Sequence, residues 1–226
     1  MSEKPDFEKR KMFVWSNYVY WLMVTNVQFL IAIIPTLLLF IFVTPAIENL
    51  ILYVLLLLPV GPALGALIAS MIQILEKKDL TPMKDFWRYY RNNWWDSFRL
   101  WGLFVGVEAI LIVDILFNNE LFGIQTSFFS FFFLLLFFLV ALVLIPTFLI
   151  SIKFKFTFKD LLKLGMFYTL TRIKLTIGNA CILFITYVVM VVTVEMLPLL
   201  FMSVFMYLLV AYNFDILSDI KGKYIK

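Results

Sequence analysis

Residues 121–152 read LFGIQTSFFSFFFLLLFFLVALVLIPTFLISI, 32 consecutive positions without a charged side chain. An α-helix rises 1.5 Å per residue, so about 20 apolar residues cross the roughly 30 Å hydrocarbon core of a bilayer. Residues 12–47 are also free of charge, as are 49–75, 175–194 and 196–214. Residues 100–119 are apolar except for Glu108, Asp114 and a terminal amide pair. Composition agrees. Of 226 residues, 63% are apolar, 15% are charged and 26 are Phe, and the mean hydropathy is +0.98. A soluble domain of this size would leave much of that surface facing water.

These stretches predict an all-α polytopic membrane protein, folded as one integral membrane domain. Six transmembrane helices are expected at about 18–43, 50–74, 99–118, 123–150, 175–195 and 197–216. The two long connections, about 76–98 and 153–174, are too short for a domain, and within them 81–98 and 157–172 read as amphipathic helices on the membrane surface.

Charge placement predicts the orientation. All 19 Lys and Arg fall in the N-terminal tail, in or at the edge of the two long connections, or in the C-terminal tail. The opposite side has only Glu48, Glu120 and Glu195. Cytoplasmic loops carry an excess of Lys and Arg, so both termini are expected in the cytoplasm of a bacterial cell membrane. All six Trp gather at the same boundary: Trp15, Trp21, Trp87, Trp94, Trp95 and Trp101. The first apolar stretch is too long for a cleavable signal.

Several chemistries are excluded. The chain has no His and a single cysteine, Cys181. His-based acid/base catalysis, His metal sites and internal disulfides are therefore absent. No phosphate-binding loop of the G-x-x-x-x-G-K-[ST] type occurs. No catalytic residues, cofactor, metal or nucleic-acid partner is expected. Cys181 is expected to pack as a small apolar residue.

Thr81-Pro82 is a helix start, followed by Met83, Phe86, Trp87, Tyr90 and Trp94 at helical spacing. Lys84, Arg88 and Arg91 lie towards the other side, placed for anionic headgroups. Lys159 and Lys163 play the same part beside Leu161, Leu162 and Leu164. The two segments align, Lys84-Asp85-Phe86-x-Arg88 on Lys159-Asp160-Leu161-x-Lys163. A fainter echo, Asp6-Phe7-x-Lys9, extends the pattern to a threefold repeat of a surface helix followed by a helical hairpin. Chance likeness between basic amphipathic elbows is the alternative.

The stretch Leu58-Pro59-Val60-Gly61-Pro62-Ala63-Leu64-Gly65-Ala66-Leu67, followed by Lys84-Asp85-Phe86-Trp87-Arg88-x-x-Arg91-Asn92-Asn93-Trp94, resembles the signature of the YesL-like family. These are bacterial six-helix membrane proteins of undetermined activity. Ile145-Pro146, the basic segment 161–174 and Leu197-Pro198 fit the same pattern. The resemblance implies a non-enzymatic accessory protein beside a carbohydrate-uptake system, with sugar ABC permease subunits as partners. It carries over no catalytic or binding residues.

Site candidates therefore come from the residues themselves. Gly61, Gly65 and Ala69 are four apart on one helix face and allow close helix approach. Glu108 lies nine residues beyond Arg99, about 13 Å into the core. No predicted span contains a Lys or Arg at that depth to pair with it. Thr25, Asn26, Gln28, Thr186 and Tyr187 are expected at similar depth as hydrogen-bond partners. Either the acid is a neutral helix-bonding group, or the chain is a small-solute transporter or channel with Glu108 in the path. Asp114 is expected to face elsewhere. The oligomeric state is open, a homo-oligomer included.

Overall fold

The computed structural model describes residues 7–44, 46–122, 127–192 and 201–224. These form eleven α-helices: α1 Phe7–Ala32, α2 Ile34–Phe42, α3 Leu50–Leu57, α4 Val60–Lys77, α5 Pro82–Asn92, α6 Trp94–Phe122, α7 Ser127–Lys153, α8 Phe158–Thr171, α9 Ile173–Val192, α10 Met202–Tyr212 and α11 Phe214–Tyr224. A 3-10 turn, Ile47–Asn49, precedes α3. No strand occurs among the described residues, and the fold is all-α.

Two helices, α4 and α7, are each long and apolar enough to cross a bilayer alone. Among the described residues, three bent pairs reach that length together: α1 with α2, bent by 64°, α8 with α9, bent by 95°, and α10 with α11, bent by 44°. The breaks have local causes. Pro35 has no N–H to donate to the carbonyl of Ile31, and the chain turns at Ile33. Asn213 closes α10 by donating its backbone N–H to Leu209 O at 3.1 Å. Parts of the expected fourth, fifth and sixth spans, residues 123–126 and 193–200, lie outside the described residues.

The two elbows differ in detail from their sequence reading. The first surface helix ends at Asn92, and residues 94–98 already belong to α6. Its inner face packs on the bundle through Asp85, at 3% exposure, and Phe86, at 0%. Met83, expected on the apolar face, is exposed beside Lys84, Arg88 and Arg91. The helix thus packs its aromatic side on α1 and α4. The second elbow, α8, meets α9 at 95°. Both elbows tie an aspartate to a threonine at the helix start. Thr81 donates its N–H to Asp85 Oδ2 at 2.8 Å, and Thr157 donates its hydroxyl to Asp160 Oδ2 at 2.6 Å. The proposed first unit is different: α1 runs unbroken from Phe7 to Ala32, with no separate surface helix.

α4 sits at the centre. Every residue from Gly61 to Ile72 is buried, and α1, α5, α6, α7 and α10 pack around it. Its N-terminal junction with α3 is where the backbone is under most demand. Pro59 and Pro62 cannot donate to the carbonyls of Leu55 and Leu58, four residues back. Tighter turns supply the missing donors: Leu58 N–H reaches Leu55 O at 3.4 Å and Gly61 N–H reaches Leu58 O at 3.2 Å. Side chains from other helices serve the two carbonyls between. The Trp101 indole N–H donates to Leu57 O at 2.9 Å, and the Thr36 hydroxyl donates to Leu56 O.

Gly61 makes the Trp101 contact fit, because a Cβ there would collide with the Trp101 Cβ. Gly65 stands against Ser97 in the same way. The small-residue face of α4 is therefore the seat of α6. Two variants test this junction by thermal unfolding in one fixed detergent. Gly61→Ala should destabilise by about 1–3 kcal/mol through overpacking. Trp101→Phe should cost about 1–3 kcal/mol by leaving the Leu57 carbonyl unpaired. Wild-type melting of both would remove the junction from the account.

Candidate functional site

Glu108 projects from α6 on the same stripe as Trp101, Phe104, Val105 and Ile112, positions spaced three and four apart. This stripe forms one wall of a cleft of about 850 Å³. Phe40 of α2, Tyr53 and Val54 of α3, and Phe137 and Ala141 of α7 supply the others. The cleft lies beyond the α3–α4 break. There α3 contributes Leu50, Tyr53, Val54 and Leu57 to the lining, opposite the α6 stripe.

Among the described residues lining the cleft, Glu108 is the only charged one. The other polar groups are engaged. The Tyr53 hydroxyl donates to Val43 O at 2.7 Å, and the Trp101 N–H is held by Leu57 O. Glu108 Oε2 is buried and has no hydrogen-bond partner.

The polar residues expected beside Glu108 are elsewhere. Asn26 Oδ1 accepts the Ser203 backbone N–H at 2.9 Å, tying α1 to α10. Gln28 Oε1 accepts the Trp87 indole N–H at 2.7 Å, tying α1 to α5. Thr186 donates to Ile182 O of its own helix at 2.8 Å. Thr25 is fully buried and does not line the cleft, and Tyr187 is 63% exposed. Similar depth along the helices did not bring these groups to the same side. Asp114 does not line the cleft either. Cys181 is exposed, not packed.

Two polar assemblies escaped the sequence reading. Asn179 and Asn213 form a reciprocal amide pair between α9 and the end of α10, at 2.9 and 2.6 Å. Each is an isolated amide in an uncharged stretch, which was the available signal. Asp85 is the second. Besides Thr81 it accepts from Gln73 Nε2 at 3.2 Å and pairs with Arg88 at 2.7 Å. Tyr89 donates to Gln73 Oε1, closing the junction of α4 and α5.

Two lysines make ion pairs with acids of other elements. Lys153 pairs with Glu76, and Lys155 with Asp96 at 3.1 Å. Arg88 also lies 5.0 Å from the centre of the Tyr89 ring, and Arg91 donates to Trp87 O at 3.4 Å. Lys84, Lys159 and Lys163 are exposed. Ala69 sits beside a polar pocket that also holds Gln73, Glu76 and Lys153. No group of three or more metal-ligating side chains occurs among the described residues.

Asp219, beyond the apolar part of the last helix pair, joins α8 to α11. It accepts from Lys223 and from the Tyr168 hydroxyl, each at 2.9 Å, with Arg172 at 3.5 Å. The hydrogen bond from Lys223, then that from Tyr168, holds its carboxyl below the usual carboxylate range.

A family model described as "Protein of unknown function, DUF624" matches residues 13–115. The matched region runs from α1 into α6 and includes the proline break and Glu108. No curated protein and no solved structure matches the chain.

A depressed aspartate stabilises the fold above its ordinary pKa, and that contribution is lost as pH falls through the lowered value. Asp219→Asn should therefore lower the melting temperature at neutral pH and narrow the gap to wild type in acid. A gap that stays constant with pH would show that the Asp219 cluster does not stabilise through its charge.

Proposed function

We propose that this chain is a non-enzymatic accessory protein of the YesL-like kind, working beside a bacterial carbohydrate-uptake system. It acts by protein–protein contact within the membrane, with sugar ABC permease subunits as the partners. It sits in the cell membrane with both termini cytoplasmic. Its exposed Lys84, Arg88, Arg91, Lys159 and Lys163 rest against anionic headgroups.

One observation carries the reading: the bundle's polar side chains are used to join its helices. Asn26, Gln28, Asn179 and Asn213 each bond across a helix junction. Ser70, Thr147 and Thr169 donate to carbonyls of their own helices. A pore or transport path needs several polar groups facing one axis, and these are taken up by bonds within the bundle. A packed scaffold with a broad apolar surface suits contact with other membrane helices. Phe129, Phe131, Phe132 and Phe138 of α7 are all exposed. The sugar connection rests on the sequence resemblance alone.

The second reading is a small-solute transporter with Glu108 in its path. It draws on the unpartnered Glu108 oxygen. Purification of the full chain from native membranes in mild detergent tests the first reading. Recovery of sugar permease subunits at constant ratio is expected; recovery of the chain without them would overturn it. Glu108→Gln separates the two. The accessory reading expects full growth on the sugar at equal expression, and the transporter reading expects its loss with the partner still bound. Orientation is tested on a Cys181→Ser background, where a cysteine at Glu48 should be labelled only from outside the cell.

A further inference from the structure

We propose that the cleft around Glu108 binds a hydrophobic amine, an apolar body carrying one protonated nitrogen set against the Glu108 carboxylate. The inference goes beyond the accessory role and stands independently of it.

Size narrows the occupant first. A cleft of about 850 Å³ lies within the roughly 300–1,000 Å³ of small-molecule sites. A spanning helix is about 10–12 Å across and 30 Å long, or roughly 2,400–3,400 Å³. A partner helix would enter only in part.

Chemistry narrows it next. The walls are apolar apart from the groups already bonded, Tyr53 to Val43 O and Trp101 to Leu57 O. One polar function remains available, the Glu108 carboxyl with its buried and unpartnered Oε2. Leaving that group without a partner in an apolar setting is costly. An anion would be repelled. A hydrocarbon would fill the space and leave the oxygen unpaired. A neutral hydroxyl compound would offer one weak donor. An ammonium offers the complementary charge and several N–H donors, and charge-assisted hydrogen bonds are the stronger kind. A lone carboxyl is too few ligands for a metal ion.

The full chain in lipid nanodiscs is titrated with tritiated dehydroabietylamine, a rigid tricyclic amine, and partition into empty nanodiscs is subtracted. Saturable binding of one amine per chain is expected. The corresponding alcohol, dehydroabietol, should compete at least tenfold more weakly. Glu108→Gln keeps the shape and removes the charge, so it should weaken the amine about tenfold and bring amine and alcohol level. Ala141→Leu, which narrows the cleft and leaves Glu108 in place, should weaken both. Should Ala141→Leu fail to fold, Ile112→Phe replaces it. No saturable binding by wild type would overturn the assignment. So would amine binding that Glu108→Gln leaves intact, because the cleft would then take apolar matter without reading the charge.

Discussion

The structure depends on one constraint: hydrocarbon offers no water to hydrogen-bond a backbone group, so each carbonyl freed by a broken helix needs a protein donor. At Leu58-Pro59 the chain breaks its central helix and frees several carbonyls together. Two are met by local turns. The other two draw in Trp101 from α6 and Thr36 from α2. Three helices are thereby fixed around one junction, and Gly61 is what lets the indole reach it. On the N-terminal side of the same break, α3 lines the cleft in which Glu108 stands.

Many polar side chains elsewhere follow the same logic, although the buried hydroxyls of Thr25 and Ser97 have no partner. The buried amides bridge α1 to α10, α1 to α5 and α9 to α10. Buried hydroxyls at Ser70, Thr147 and Thr169 bond back along their own helices, as they commonly do. Glu108 departs from this pattern, because it is ionisable, sits among apolar walls and has an oxygen without a partner. Natural proteins depart from internal consistency mainly where function demands it, which is why the cleft commands interest in an otherwise closed bundle.

Much of this was legible in the sequence, for physical reasons that also set the limit. Charges are costly in hydrocarbon, so the uncharged stretches reported the helices directly. Small residues four apart on one face reported that something packs closely on Gly61 and Gly65. That the partners are Trp101 and Ser97 was not legible, since Trp101 reads equally well as part of an interfacial aromatic belt. Position along a helix gives depth but not the side a residue faces in the bundle. Asn26 and Gln28 were therefore placed beside Glu108, and they instead serve Ser203 and Trp87. The elbow at 81–98 was legible as amphipathic. Its buried aspartate was not, because Asp85 satisfies itself through Gln73 in another helix.

The central claim is that the bundle interior around α4 is packed and holds no aqueous path. Ser70, at 0% exposure, and Ser203, at 2%, lie in that interior on α4 and α10. Each can be replaced by the near-isosteric cysteine on a Cys181→Ser background and exposed to a membrane-impermeant thiol reagent from either side. The account predicts that neither position reacts while the chain is folded. Rapid labelling of both would contradict it, because it would require water to reach the centre of the bundle.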